Sequence, residues 1–238
     1  MEEEKPKLEE DLTSKPAENI PKKEVSGDDA ELKKRNEKVL HFLKKRANWI
    51  YYAVLAFLVY IAVYIRTLNL SRLKDITTGT WTLGPDLDPF LFLRWAKYIV
   101  EHGKLMTLDL MRNVPVGYDP ASELKLLSFL IAGFHKVVAL FNSTATVTYS
   151  AVLFPALMFG LTAIAFFLFA RKIMYKQSKT IQNATALLAT AFFVLIPSLL
   201  PRTIAGIPEK ESVGFMFLFL ALYFFMEAFT SEKLKRGI

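Results

Sequence analysis

The chain has 238 residues, 53% of them hydrophobic, with 30 Lys and Arg against 23 Asp and Glu and a formal charge of +7. That apolar share, with a positive mean hydropathy, places it among membrane proteins, and the absence of cysteine excludes disulfides and thiolate metal sites. The cations sit beside apolar runs, with no aromatic-interleaved basic face, which argues against nucleic acid and for flanks that orient helices in a bilayer.

Residues 1 to about 30 are rich in Glu, Lys, Pro, Ser and Asp and hold no aromatic side chain, so they are expected to be disordered. They show no basic n-region followed by a short apolar core, hence no cleavable signal pattern. Residues 31–46 turn helix-friendly and basic, through Lys33, Lys34, Arg35, Lys38, Lys44, Lys45 and Arg46. This predicts a cytoplasmic juxtamembrane helix, either held to anionic lipid or simply solvated. Residues 1–46 thus form a tail and basic helix ahead of the membrane domain.

The first span is residues 47–65, uncharged, with Trp49, Tyr51, Tyr52, Tyr60 and Tyr64 towards its ends. A long external loop, residues 66–146, follows. Three further stretches have spanning length, at 147–170, 180–201 and 212–229. Residues 124–141 are apolar but contain Lys125, His135 and Lys136.

Charge decides the status of that last stretch. Residues 171–179 carry Arg171, Lys172, Lys176 and Lys179 with no acid, and the tail 231–238 carries Lys233, Lys235 and Arg236. Both fall in the cytoplasm only if 124–141 lies flat as an amphipathic, non-spanning helix. The membrane domain is then 47–230, an all-α protein with about four spans and both termini cytoplasmic. Asp86, Asp88, Glu209 and Glu211 all share the external face of the cell membrane.

Those acids lie in two short segments. In Gly84-Pro85-Asp86-Leu87-Asp88-Pro89, the expectation is a turn entering a helix, with Asp88 as cap and Pro89 as first helical residue. Asp88 is equally a candidate oxygen ligand for Mg2+ or Mn2+, while Asp86 reads as a solvated turn residue or a second ligand. In Pro201-Arg202-Thr203-Ile204-Ala205-Gly206-Ile207-Pro208-Glu209-Lys210-Glu211, the acids suit a helix N-terminus. A cation shared by carboxylates of both segments would also neutralise a diphosphate, with Arg202 adding charge-assisted hydrogen bonds. His102 and His135 lack metal-ligand spacing, and Walker A, G-x-S-x-G and H-E-x-x-H patterns are absent. Asn-x-Ser/Thr triplets occur at Asn69, Asn142 and Asn183.

An apolar first helix, an external Asp-Pro-aromatic-x-x-x-Arg, two spans and then Arg-Thr-Ile-Ala-Gly-x-x-acid-x-acid opening a fourth span resembles the N-terminal part of the oligosaccharyltransferase catalytic subunit, most closely its archaeal form. The resemblance implies a multi-span bundle of the GT-C type. The implied reaction moves a glycan from a lipid-linked (poly)isoprenyl phosphate or diphosphate to asparagine in Asn-x-Ser/Thr. It makes Asp88 a metal ligand that also contacts the acceptor amide, Glu209 and Glu211 the acids of the second metal motif, and Arg202 the donor-phosphate residue. Mn2+ or Mg2+, membrane lipid, the lipid-linked donor and an acceptor polypeptide are the implied partners.

Two departures stand beside it. Glutamates replace the family's aspartates in the second motif, and Pro201 replaces a serine. The family also has further spans, a loop with a catalytic glutamate and a C-terminal sequon-reading domain with a Trp-Trp-Asp-Tyr-Gly-type motif, none of it in this sequence. The expectation is therefore an enzyme incomplete without a separate chain that supplies those parts. The alternative is a non-catalytic subunit or remnant that binds lipid-linked glycan or a partner helix bundle. A protein mannosyltransferase is weakened by the Ala-Gly-x-x-acid-x-acid stretch, and a small transporter by the lack of mid-membrane charge or repeats.

Overall fold

The computed structural model describes residues 27–231, and among these the regular structure is helical, with no β-strand. The expected disordered tail falls almost wholly in residues 1–26, and most of the C-terminal tail in 232–238, outside the described residues. The chain forms two compact units, Met1–Arg46 and Ala47–Ile238. In the first, residues 27–46 are the opening of helix α1, Gly27–Thr67.

The second unit holds the rest of α1 and five more helices: α2 (Asp88–His102), α3 (Leu126–Phe141), α4 (Val147–Ile173), α5 (Lys179–Leu195) and α6 (Lys210–Thr230). Trp49–Arg72, Val147–Ile173 and Lys210–Thr230 are long and apolar enough to cross a bilayer. The protein is an all-α membrane bundle. Helix α4 is its centre and packs against α3, α5 and α6. Its small residues let neighbours come close: a Cβ on Gly160 would stand 3.0 Å from Val63 of α1.

The stretch expected to span at 180–201 is not one continuous helix. Helix α5 stops at Leu195, Ile196 is extended (φ −61°, ψ 118°), and Pro197–Arg202 forms a 3-10 turn. Pro197 lacks an N–H and its ring crowds helical backbone at the residue before it, so the break falls at Ile196. Helix α3, with 16 residues, is about 24 Å long against a hydrocarbon core of about 30 Å. Its buried Leu127, Ser128, Ile131 and Ala132 form one stripe, while Val137, Leu140 and Phe141 are exposed.

Helices α4 and α6 run in parallel. Val152 and Val213 share a core near their starts, and Lys172 pairs with Glu227 at 2.5 Å near their ends. The last turn of α1 reaches the end where α4 and α6 begin. There the Ala205 N–H donates to the Arg66 carbonyl at 2.8 Å, and Gly206 donates to the Val152 carbonyl at 2.9 Å. Arg66, 1% exposed, lies 3.2 Å above the Phe159 ring and donates from Nε to Thr203 Oγ1 at 2.7 Å. A core of Leu73, Leu83, Phe92, Leu93, Ile131, Val152 and Val213 ties α2, α3, α4 and α6 together beneath this end.

Candidate functional site

The two acidic segments meet at this end of the bundle. Gly84 donates its N–H to the Gly206 carbonyl at 2.8 Å, joining the turn before α2 to the connector before α6. Gly206 has φ +88°, and a Cβ there would stand 2.6 Å from Leu73 Cδ1 and 3.2 Å from the Gly84 nitrogen. Both the left-handed backbone and the close approach therefore demand glycine.

Asp88 is the first residue of α2, with Leu87 in the capping position, helical in backbone and making no side-chain cap. The expected roles of cap and first helical residue thus move one place towards the N-terminus. Proline is well tolerated throughout a first turn, whose N–H groups have no intrahelical partner, so the turn starts a residue earlier than the Asp-Pro pattern suggests. Asp88 is exposed. On the other segment, Glu209 takes the cap position of α6 but its side chain makes no cap bond. Instead its Oε2 accepts from Arg202 Nη1 at 2.5 Å, and Ser212 Oγ donates to its carbonyl at 2.6 Å.

Asp88, Glu209, Glu211 and Arg202 line one cavity of about 120 Å3, with Phe92 and Lys210 completing its wall. All four residues singled out from the sequence thus come together. Asp86, expected as a solvated turn residue or a second ligand, stays partly exposed but stands beside them, 3.8 Å from the same Arg202 nitrogen. Lys210, between the two glutamates, turns to Glu123 at 2.8 Å.

The electrostatics follow from this crowding. Glu209 is 4% exposed, and burial pushes its carboxyl up to about 6. Arg202 pulls against that, while Asp86 and Glu211 add to the rise. Asp86 moves the other way, held below the usual aspartate range first by its hydrogen bond with Glu209 and then by backbone N–H groups and Arg202. Burial and the neighbouring acids thus disfavour charge on Glu209, while the more exposed Asp86 keeps its charge more readily. Arg202 is held above its usual value by Glu209 first and by Glu211 and Asp86 after it.

Oxygen-only donors suit a hard divalent cation in chemistry. Their placement does not: among the described residues no three acidic or histidine side chains are arranged to hold one ion. Arg202 sits on the Glu209 oxygen that an ion would need. As placed, the acids are neutralised by a guanidinium.

Sequence reasoning missed Asp109, 1% exposed, which accepts from Arg94 and from Trp95 Nε1 at 3.0 Å. It locks the face of α2 behind Asp88, and the arginine of the Asp-Pro-aromatic-x-x-x-Arg stretch is thereby a structural anchor. The Lys210–Glu123 pair, 87 residues apart, was missed as well. Neither left a local signal in the sequence, because both depend on loops that only the fold brings back.

Apolar helices of membrane-crossing length, with an acid-and-arginine pocket where two of them begin, define an integral membrane protein with a polar site at the mouth of its bundle. Residues 56–236 match the family model described as oligosaccharyl transferase STT3, N-terminal, and the chain belongs to that family. The family is one of glycosyltransferases that act with a lipid-linked oligosaccharide donor and an acceptor protein. No curated protein matches the chain.

Proposed function

We propose that this chain forms the donor-and-acceptor pocket of an oligosaccharyltransferase of archaeal type. The observation that carries the reading is the single cavity lined by Asp88 from one segment and Arg202, Glu209 and Glu211 from another more than a hundred residues away. The glycan would come from a (poly)isoprenyl phosphate or diphosphate and pass to the asparagine of Asn-x-Ser/Thr. The basic end of α4, Arg171 and Lys172, lies at the opposite end of the bundle. The positive-inside rule then puts that end in the cytoplasm and the pocket on the external face.

The chain's own groups divide the work. Arg202 offers a planar set of N–H donors to phosphate oxygens, which strengthens as charge builds on the departing phosphate. Glu209 holds Arg202 in place through the 2.5 Å contact. Asp88 lines the cavity and can accept an N–H from the acceptor amide, orienting its nitrogen towards the sugar. Mn2+ or Mg2+ enters this reading only with Arg202 moved off Glu209, which would free Asp88, Glu209 and Glu211 as oxygen donors.

The test is glycan transfer from a lipid-linked donor to a sequon peptide by the full-length protein in membranes. Transfer that is lost in Asp88→Ala and in Arg202→Ala is the expected result. The occupation of Glu209 by Arg202 favours one rival, a non-catalytic subunit that binds the donor. Donor binding that survives in every variant, with no transfer by any of them or by the parent, would establish that rival.

A further inference from the structure

The three Asn-x-Ser/Thr triplets are not equivalent in the fold. Asn69 is half-buried and spends its Nδ2 on the Ala205 carbonyl at 2.8 Å, inside the connector that shapes the site. Asn183 is 7% exposed, within α5. Asn142 is exposed and stands between α3 and α4, just before the α4 start that shares the site's end of the bundle.

Asn142 is also the one already in a suitable form. Its backbone is extended (φ −143°, ψ 94°), as it closes α3. Its Oδ1 accepts from the N–H of Thr144 at 3.2 Å and from the Thr144 hydroxyl at 2.8 Å. The third residue of the triplet thus holds the amide oxygen, and Nδ2 has no hydrogen-bond partner among the described residues. Beside it lies an open hollow of about 280 Å3 lined by Trp81, Thr144, Thr146 and Tyr149. The Trp81 and Tyr149 rings are 5.1 Å apart. An aromatic pair offers electron-rich faces to the slightly positive C–H groups of a pyranose ring.

The geometry points to Asn142 as a glycosylation acceptor in this chain itself, with the first sugar resting on Trp81 and Tyr149. In the transfer, Nδ2 bonds to the anomeric carbon of a lipid-phosphate-linked glycan. The bond from that carbon to the phosphate oxygen breaks, the lipid phosphate leaves as the anion, and the amide proton passes to a base. The inference rests on the proposed function for one point, that the site end faces the compartment where the lipid-linked donor is used.

The test expresses the full chain in membranes whose resident transferase glycosylates a co-expressed control protein with one sequon. Glycopeptide mass spectrometry is expected to find one glycan at Asn142, lost in Asn142→Gln and in Thr144→Val, with Asn69 and Asn183 bare. In Trp81→Ala the glycan should be released from the folded protein several-fold faster by an endoglycosidase. A bare Asn142 beside a modified control, or a glycan on Asn69 or Asn183 instead, overturns the assignment. Unchanged release in Trp81→Ala overturns the aromatic seat. Because the resident transferase does the chemistry, either failure is distinguishable from a failure of this chain to catalyse.

Discussion

The N–H of Gly84 meets the carbonyl of Gly206 at 2.8 Å, and this bond between residues 122 positions apart brings the two acidic segments to one cavity. Gly206 can make it only because its φ is +88° and no Cβ stands between it and Leu73. Gly206→Ala is expected to cost about 1–3 kcal/mol from left-handed strain, with further loss from the clash. A lowered Tm in detergent, together with weakened donor binding, checks this. An unchanged Tm would mean that the connector does not bind the segments together.

Glu209→Gln should change how stability depends on pH. A carboxyl raised from 4.5 to about 6 in the folded protein contributes stability that is fully present below 4.5 and is lost as pH rises through 6. The loss is at most about 2 kcal/mol. Asp86, lowered in the folded state, acts below this window: its contribution is present above the ordinary aspartate value of 3.8 and lost as pH falls further. Denaturation at pH 4.5 and pH 7 should show the slope in the parent and a flatter profile in Glu209→Gln. Equal slopes in both would place the titrating group elsewhere.

Arg66 is the buried clasp behind the site, over Phe159 and bonded to Thr203. Arg66→Ala should cost about 3 kcal/mol or more, from the lost cation–π contact and charged hydrogen bond. Arg66→Lys should recover only part of it, since an ammonium cannot reproduce the planar fork that reaches Thr203, Ala62 and Val194 together. Unfolding midpoints of the two variants measure the difference. Full recovery by lysine would reduce Arg66 to a charge.

Arg202 competes with any cation for Glu209. Arg202→Gln is expected to bind Mn2+ about tenfold more tightly than the parent, a difference of about 1.4 kcal/mol, read by electron paramagnetic resonance of free Mn2+. Glu209→Gln in the same background should abolish the gain. Equal affinities in parent and Arg202→Gln would show that the guanidinium does not hold the ligand position.

Much of this was legible in the chain before any fold. Long apolar runs marked the helices of α1, α4 and α6, the first with aromatic residues towards its ends, because a bilayer admits only long apolar segments with internally paired backbones. The two acidic segments were legible too, since their charges stand out beside such runs. Less could be read where neighbours in space decide. Asp88 as helix residue rather than cap, the break at Ile196, and Asp86 turning to Arg202 depend on how turns settle against packed partners.

The sequence by itself determined an all-α membrane protein and singled out the acids and arginine that line the cavity. These follow from solvent preference and residue chemistry, which act locally along the chain. Only the tertiary structure decided that Asp88, Arg202, Glu209 and Glu211 share one cavity, that Arg202 is held on Glu209, and that Asp109 anchors Arg94 behind them. Those are distances between residues far apart in sequence, set by the close approach at Gly206 and the packing of α2 against α4, and no local pattern encodes them.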